Sequence, residues 1–300
     1  MLKKTNILAL VGGGQNPLFS KNKITIYDSH QELIIRQIRL NSYIINVKLR
    51  NDSIIGFIEG KIYILNINSL ETIDIIEIEK SINPIYGLSN NNALILAFPL
   101  VDYKGKIKIN KYFISSKIKK KETLSINAHE SNIVFITINN NGTLLASGSE
   151  KGPYIRLFNT SNGDLLAELK RGKKSKINSI SFETNSDIIG YIGDNGKIYI
   201  YDINELKNVI NNNNGKEKTI ENNKNEEPNK IHEKIKIKEK PIAKFQIKEV
   251  RNILGFVDPK CIVILNSEGK FYKASYNVKS GDKCLLLEES FLKFENKWYI

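Results

Sequence analysis

The sequence predicts an all-β fold of short antiparallel strands, and three observations lead to this prediction. Apolar and polar residues alternate in short runs along the 300-residue chain, which is strand periodicity, whereas helical spacing is almost absent. Asn-Gly and Lys-Gly pairs separate many of these runs and suit the positive φ angles of tight hairpins. One strand motif also recurs at intervals of 38 to 48 residues. Such a period, with several short strands in each unit, is typical of a β-propeller.

The recurring motif is a small or basic residue followed by alternating apolar positions that end near Asp or Asn. The last interval between motifs is 73 residues, but it includes the polar tract 205–240, and without those 36 residues it falls to 37. The sequence therefore contains six repeating units. Their motifs are KITIYD at Lys23, KIYILN at Lys61, KIKIN at Lys106, YIRLFN at Tyr154, KIYIYD at Lys197 and KFYKAS at Lys270.

Each unit is predicted to form one blade of four antiparallel strands. The fourth unit shows the pattern most fully, with strands at 133–138, 144–147, 154–158 and 165–169, whereas the first lacks a convincing opening strand. The six blades are expected within a single domain that spans residues 1–300. They are Ile7–Leu40, Tyr43–Ile78, Ile85–Ile126, Ile133–Leu169, Ile177–Ile247 and Val250–Glu288.

The polar tract 205–240 interrupts the fifth blade between its third and fourth strands. It is rich in Asn, Lys and Glu and contains no aromatic residue, which predicts a disordered loop. Two interpretations of the tract remain open. It is either an inert low-complexity expansion or a functional loop.

The chain carries 45 Lys and Arg residues against 32 Asp and Glu residues, a net charge of +13. This balance favours an anionic partner, namely nucleic acid, an anionic membrane or an acidic protein. Enrichment in Lys, Asn and Ile throughout the chain, as an AT-rich genome produces, is the alternative explanation. It does not explain local clustering. The segment ELKRGKKSKINSISF, Glu168–Phe182, holds five cations within seven positions.

Other features of the sequence narrow the class of protein. Cys261 and Cys284 are too few for a disulfide framework or a zinc site and are expected to fill apolar positions in strands. The apolar run Ile7–Val11 is too short for a signal peptide, and no run of about 18 apolar residues occurs. These features predict a soluble intracellular protein. No spacing typical of a catalytic site stands out, so neither an enzyme nor a bound cofactor is predicted.

Three motifs together resemble the PROPPINs, the WIPI-type phosphoinositide-binding β-propellers. They are LALVGGG at 8–14, GTLLASGSEKG at 142–152 and the basic pair that precedes Gly172. Family members carry a further blade before the LALVGGG strand, so the resemblance implies seven blades, of which this chain shows six through a truncated gene model or a true loss. The family's Phe-Arg-Arg-Gly reads Leu169-Lys170-Arg171-Gly172 here, which keeps the charge but replaces one planar guanidinium by a point charge.

The resemblance implies two pockets for phosphoinositide headgroups, one on each side of the strand that carries the basic pair. Neighbouring side chains of a strand point to opposite faces, so Lys170 and Arg171 are assigned to different pockets. Replacing both by Thr is expected to abolish membrane recruitment and to leave the fold intact. By position, the first pocket takes His129, Ser149, Lys151, Arg156 and Lys170, and the second takes Arg171, Lys197 and Tyr199.

Several of these residues have alternative roles that the sequence leaves open. His129 is alternatively a turn residue, Ser149 a hairpin cap, and Arg156 a structural partner of Glu150 or Asp164. The remaining cations of the basic segment are expected to raise the local positive potential toward an anionic leaflet rather than to bind the headgroup; they are Lys173, Lys174 and Lys176.

The resemblance implies a membrane-recruited reader of phosphatidylinositol 3-phosphate and phosphatidylinositol 3,5-bisphosphate. Such a protein would act in autophagy-type membrane biogenesis, vesicle traffic or organelle maintenance, together with a lipid-transfer or conjugation-machinery protein. It is expected to be a monomer in solution, in the cytoplasm and peripherally on phagophore, endosomal, vacuolar or other organelle membranes. A propeller that binds only proteins is the alternative. Nucleic-acid binding is not expected, because few aromatic residues accompany the cations.

Overall fold

The computed structural model describes residues 5–90, 93–114, 119–171, 175–206, 241–248 and 251–276, together with the backbone of the strand 285–291. Strands form nearly all the regular structure of these residues, and one helical turn occurs at Glu205 and Leu206. The all-β prediction is therefore confirmed. No helix in this part of the chain has the length and apolar character needed to cross a membrane.

The strands of the described residues form six sheets, and within each sheet strands that follow each other in the chain are neighbours. The first sheet contains β1 (Ile7–Leu10), β2 (Lys23–Asp28) and β3 (Leu33–Arg39). The second contains β4 (Ile44–Leu49), β5 (Ser53–Ile58), β6 (Lys61–Asn66) and β7 (Thr72–Glu77). The third contains β8 (Gly87–Leu88), β9 (Leu94–Pro99), β10 (Lys106–Ile114) and β11 (Lys119–Asn127).

The last three sheets have the same meander topology and antiparallel pairing. The fourth contains β12 (Ile133–Ile138), β13 (Leu144–Ser149), β14 (Tyr154–Asn159) and β15 (Leu165–Lys170). The fifth contains β16 (Ile177–Phe182), β17 (Ile188–Gly193), β18 (Lys197–Asp202) and β19 (Ala243–Gln246). The sixth contains β20 (Asn252–Asp258), β21 (Cys261–Asn266), β22 (Lys270–Ser275) and β23 (Leu285–Phe291).

The six sheets correspond to the six predicted blades. The strands of the fourth sheet start where the sequence predicted and extend at most two residues further. The first sheet has three strands among the described residues. Most of the tract 205–240, together with Cys284, lies outside the described residues, so the predicted loop stays a prediction.

The chain divides into two compact units. The first comprises Met1–Ile85, Phe98–Tyr103 and Lys111–Glu122, and the second comprises Tyr86–Ala97, Lys104–Asn110 and Thr123–Ile300. All the candidate site residues belong to the second unit. One core cluster of this unit packs apolar side chains of the fourth sheet, including fully buried Leu169, against Tyr191 and Tyr201 of the fifth sheet.

Glycines close the hairpins of the fourth sheet as predicted. Gly142 and Gly163 both have φ angles of +81° and follow asparagines, which is the backbone geometry that favours glycine. These turns set the register of the strands, and the register in turn decides which side chains share a face.

Candidate functional site

One face of the fourth sheet gathers most residues of the predicted first pocket. Ser147 of β13, Arg156 of β14 and Glu168 of β15 lie opposite one another in the strand pairing, so they form one row across the sheet. Tyr154 and Lys170 form the next row on the same face, because each is two residues away along its own strand. The face therefore presents hydroxyl, cationic and anionic groups side by side.

Arg156 is paired with Glu168. The Arg156 Nε donates to Glu168 Oε1 at 2.7 Å, and its Nη1 donates to the Ala128 carbonyl oxygen at 2.7 Å. The side chains of Arg156 and Glu168 remain 30% and 20% exposed. The sequence had offered Glu150 or Asp164 as structural partners of Arg156, and the structure places neither of them in this ion pair.

A cavity of about 610 Å³ lies beside the ion pair. Arg156, Glu168, Asn127 and Asn162 supply polar atoms to its wall, and Phe158 supplies an aromatic ring. The cavity therefore offers Arg156 and Glu168 together to a ligand, rather than Arg156 alone.

His129 lies next to this face. Its Nε2 is 2.9 Å from the Ser147 hydroxyl oxygen. Burial lowers the pKa of His129 to about 4, and the nearby positive charges of Arg156 and Arg171 contribute in the same direction. His129 is consequently neutral at pH 7 in the unliganded protein.

The turn after β13 carries two further predicted residues, Ser149 and Lys151. Ser149 is buried, and its hydroxyl oxygen accepts a hydrogen bond from the Gly152 backbone amide at 3.3 Å. The hydroxyl thus caps this hairpin, which is one of its two predicted roles. Lys151 is exposed, and its backbone amide donates to the Ser131 hydroxyl at 3.1 Å.

Arg171 is buried, with only 4% of the residue exposed. Its guanidinium donates to the Ser149 carbonyl at 2.7 Å, to the Gly152 carbonyl at 2.8 and 2.6 Å, and to the Ser175 carbonyl at 2.5 Å. These bonds join the turn after β13 to the segment before β16. In this structure the Arg171 guanidinium is therefore used by the protein's own backbone.

Two stacked tyrosines of the fifth sheet lie close to Arg171. Tyr191 and Tyr199 stack with ring centroids 5.8 Å apart and an interplanar angle of 20°. The Tyr191 hydroxyl donates to the Ser175 hydroxyl at 3.2 Å, and burial raises the pKa of Tyr191. The Lys244 ammonium lies 5.5 Å from the centroid of the Tyr199 ring, a cation–π arrangement.

The PROPPIN family pattern matches residues 18–292 of the chain. The chain belongs to the PROPPIN family. It is 30% identical to an SVP1-like protein 2 of Debaryomyces hansenii over 69% of this chain and 54% of the relative. It is 26% identical to autophagy-related protein 18e of Arabidopsis thaliana over 67% of this chain and 53% of the relative. This PROPPIN spans about half the length of the curated relatives it matches.

Solved structures share the fold of this PROPPIN. Kluyveromyces lactis Hsv2 superimposes with a TM-score of 0.74 over 97% of this chain and 85% of that chain, at 17% identity. A complex of Kluyveromyces lactis Atg21 with the coiled coil of Atg16 superimposes with a TM-score of 0.68 over 97% of this chain and 83% of that chain, at 19% identity. The predicted β-propeller fold class is confirmed.

The structure brings the two predicted sets together to different degrees. In the first set, Arg156 and Lys170 share one face, and His129 and Ser149 adjoin it, whereas Lys151 projects from the turn. In the second set, Lys197 and Tyr199 are two residues apart on β18, so they share a face, and Arg171 approaches Tyr199 through Tyr191 and Ser175. Within the predicted motif, Leu169 is core and Gly172 lies outside the described residues, as do Lys173 and Lys174.

Sequence reasoning missed four polar residues of the candidate site. Three were recoverable from strand alternation, because Glu168, Ser147 and Tyr154 each lie two residues before a predicted site residue. Lys244 lies opposite Tyr199 in the pairing of β18 with β19, so it required the strand register. Among the described residues, no group of three or more His, Cys, Asp and Glu side chains is arranged to hold a metal ion.

Proposed function

We propose that this PROPPIN binds the headgroups of phosphatidylinositol 3-phosphate and phosphatidylinositol 3,5-bisphosphate and is thereby recruited to membranes. The observation that carries the proposal is the shared face of Arg156 and Lys170, with His129 held against it by Ser147. Cations that share one face with hydroxyl and imidazole groups suit a phosphorylated, hydroxyl-rich ring.

The first pocket supplies most of the binding in this proposal. Lys170 is exposed at the end of β15, and Lys151 is exposed on the neighbouring turn. Exposed ammonium groups on flexible stems reach a phosphate at little structural cost. Arg156 and Tyr154 contact the ring from the floor of the pocket.

The second pocket is proposed on the opposite side of β15. Lys197 supplies its principal cation, and Lys244 over the Tyr199 ring supplies another. Arg171 holds the backbone between the two pockets. Two weak sites on one rigid body act together on a membrane, because the second headgroup binds at high effective concentration.

We propose further that the membrane-bound protein serves as a scaffold in autophagy-type membrane biogenesis, vesicle traffic or organelle maintenance. The names of the Arabidopsis relative and of the Atg21–Atg16 complex support this role. A coiled-coil protein of the conjugation machinery or a lipid-transfer protein is the proposed partner. The proposed locations are the cytoplasm and the surface of phagophore, endosomal, vacuolar or other organelle membranes.

Cosedimentation with vesicles tests the proposed lipid binding. The wild-type protein is expected to sediment with phosphatidylcholine vesicles that contain either 3-phosphorylated lipid, and not with phosphatidylcholine alone. Lys151→Thr with Lys170→Thr is expected to weaken this binding at least tenfold without changing the thermal melt, because both side chains are exposed.

A matched control separates site binding from general charge attraction. Lys80→Thr with Lys260→Thr removes the same charge from two exposed positions outside the candidate site. It is expected to bind nearly as well as the wild-type protein. Equal losses of vesicle binding in the two double variants would contradict the first pocket and favour adhesion by net charge. If the wild-type protein did not bind vesicles with 3-phosphorylated lipids better than phosphatidylcholine vesicles, the result would favour a propeller that binds only proteins.

A further inference from the structure

Glu168 places a carboxylate in the middle of an otherwise cationic face. It lies opposite Arg156 in the pairing of β14 with β15, and it accepts the Arg156 Nε–H at 2.7 Å. Both residues line the cavity of about 610 Å³ at one end of this face, and Lys170 lies one row further along the same face. The ion pair thus adjoins Lys170 on the face of the proposed first pocket, where a bound ring would meet the carboxylate as well as the guanidinium.

This pairing reduces the positive charge that the first pocket offers. Glu168 compensates the charge of Arg156, and His129 is neutral near pH 7 because its pKa is lowered to about 4. Arg171 is occupied by backbone carbonyls on the other side of the strand. Lys170 and the turn residue Lys151 have no ion pair among the described residues and are the uncompensated cations of this set.

We infer that Glu168 limits the charge that the first pocket accepts, so that the pocket selects a headgroup with one ring phosphate over a headgroup with two. This inference rests on the proposed function. Lys170 and Lys151 can match one phosphate dianion. A second phosphate held a few ångströms from the Glu168 carboxylate would be repelled, and solvent screens this repulsion poorly inside a partly buried pocket.

The carboxylate also favours a hydroxyl group at the position where it repels a phosphate. An ionised carboxylate only accepts hydrogen bonds, and each ring hydroxyl is a donor. A ring with a single phosphate therefore places a hydroxyl against Glu168, whereas a second phosphate at that position places an acceptor against an acceptor. Attraction and repulsion both select the monophosphate.

The test compares wild-type protein with Glu168→Gln on vesicles that contain phosphatidylinositol 3-phosphate or phosphatidylinositol 3,5-bisphosphate. Glutamine keeps the shape and the oxygen that accepts from Arg156 but removes the charge. Glu168→Gln is expected to raise the affinity for the bisphosphate about tenfold and the affinity for the monophosphate less than about threefold. Soluble inositol phosphates with one or two ring phosphates besides the glycerol-linked phosphate, used as competitors, should show the same order if the headgroup is read directly.

The control variant is Glu130→Gln, which removes an exposed carboxylate next to His129 that has no ion pair among the described residues. It is expected to change the two affinities equally and only slightly. Glu168→Thr serves as a second neutral variant if Glu168→Gln melts below the wild-type protein. Thermal melts of all variants show which of them remain folded at the temperature of the binding assay.

The outcomes separate this inference from the proposed function. An equal rise for both lipids in the folded variant, no change, or a loss of binding to both would overturn selection by Glu168 while leaving wild-type binding intact. Wild-type protein that binds neither 3-phosphorylated lipid better than phosphatidylcholine would overturn the proposed function, and this inference with it.

Discussion

The two cations at the end of β15 are adjacent in sequence and opposite in environment. Lys170 is exposed, on the face that carries the Arg156–Glu168 ion pair. Arg171 is 4% exposed and is surrounded by carbonyl oxygens of the turn after β13 and of Ser175. The basic pair, predicted as two headgroup ligands, thus contains one exposed cation and one buried cation that binds backbone carbonyls.

The difference follows from side-chain chemistry. A planar guanidinium has five N–H donors, so it can satisfy several carbonyls at once, whereas an ammonium on a flexible stem cannot match that geometry. Arginine suits the buried position, and lysine is sufficient at the exposed one. The comparison predicts that replacing Arg171 mainly lowers the stability of the fold, whereas replacing Lys170 mainly weakens lipid binding.

The largest expected effect is the loss of stability in Arg171→Thr. The change leaves the carbonyls of Ser149, Gly152 and Ser175 without this donor in a buried place, which we expect to cost about 3 kcal/mol of unfolding free energy or more. Urea unfolding followed by fluorescence measures this loss. Arg171→Lys is expected to recover only part of it.

Lys170→Thr is the matched control for Arg171, because it removes one cation at the neighbouring exposed position. Its unfolding free energy should stay within about 0.5 kcal/mol of the wild-type value, while its lipid binding weakens. If Arg171→Thr melted at the wild-type temperature, the assignment of Arg171 as a structural cation would be wrong. The original expectation that Thr at both positions leaves the fold intact would then stand.

The fold was predictable because its determinants are local. Alternating apolar residues and the glycines at 142 and 163 defined the strands and turns of the fourth sheet before the register was known. The assignment of Lys170 and Arg171 to different sides rests on local information of the same kind, since it needs only the alternation of a strand, and it stays a prediction.

The partners that the site residues have within the protein were not predictable from the same local patterns. The carbonyls around Arg171 come from a turn about twenty residues earlier and from Ser175. Every residue has a backbone carbonyl, so the residue types do not show which carbonyls accept these hydrogen bonds. The pairing of Arg156 with Glu168 depends on register across β14 and β15. Lys244 was hidden because the tract 205–240 separates it from the strand with which it pairs.

A second, smaller effect concerns His129 and pH. Its pKa of about 4 in the folded protein lies below the ordinary value of 6.5, so the unfolded chain takes up the proton first. Stability that is present above pH 6.5 should therefore be lost as the pH falls toward 4, by at most about 3 kcal/mol. His129→Gln should lose less stability than the wild-type protein between pH 7.5 and 4.5 in thermal melts.

Lipid binding should respond to pH in the opposite direction. A bound phosphate offsets the positive charges of Arg156 and Arg171 near His129, so it raises the pKa of the ring and couples binding to proton uptake. Wild-type binding should strengthen as the pH falls from about 7.5 to 5.5, and His129→Gln should lose this response. His30→Gln alters an exposed histidine of the first unit and should change neither property. If binding by His129→Gln still strengthened as the pH fell, another group would be responsible for the pH dependence.

The smallest expected effect is the loss of vesicle binding when the second pocket is changed. If Arg171 mainly holds the backbone there, the second pocket depends on Lys197 and on Lys244 over the Tyr199 ring. Lys197→Thr with Lys244→Thr should then weaken vesicle binding about two- to fivefold, less than the loss of Lys151 and Lys170, because the Tyr199 ring already engages the Lys244 ammonium. Tyr199→Phe keeps the stacked ring and removes only its hydroxyl, so it should bind like the wild-type protein. Cosedimentation at two salt concentrations measures both variants, and a loss larger than that of the Lys151 and Lys170 double variant would show that the second pocket is the principal one.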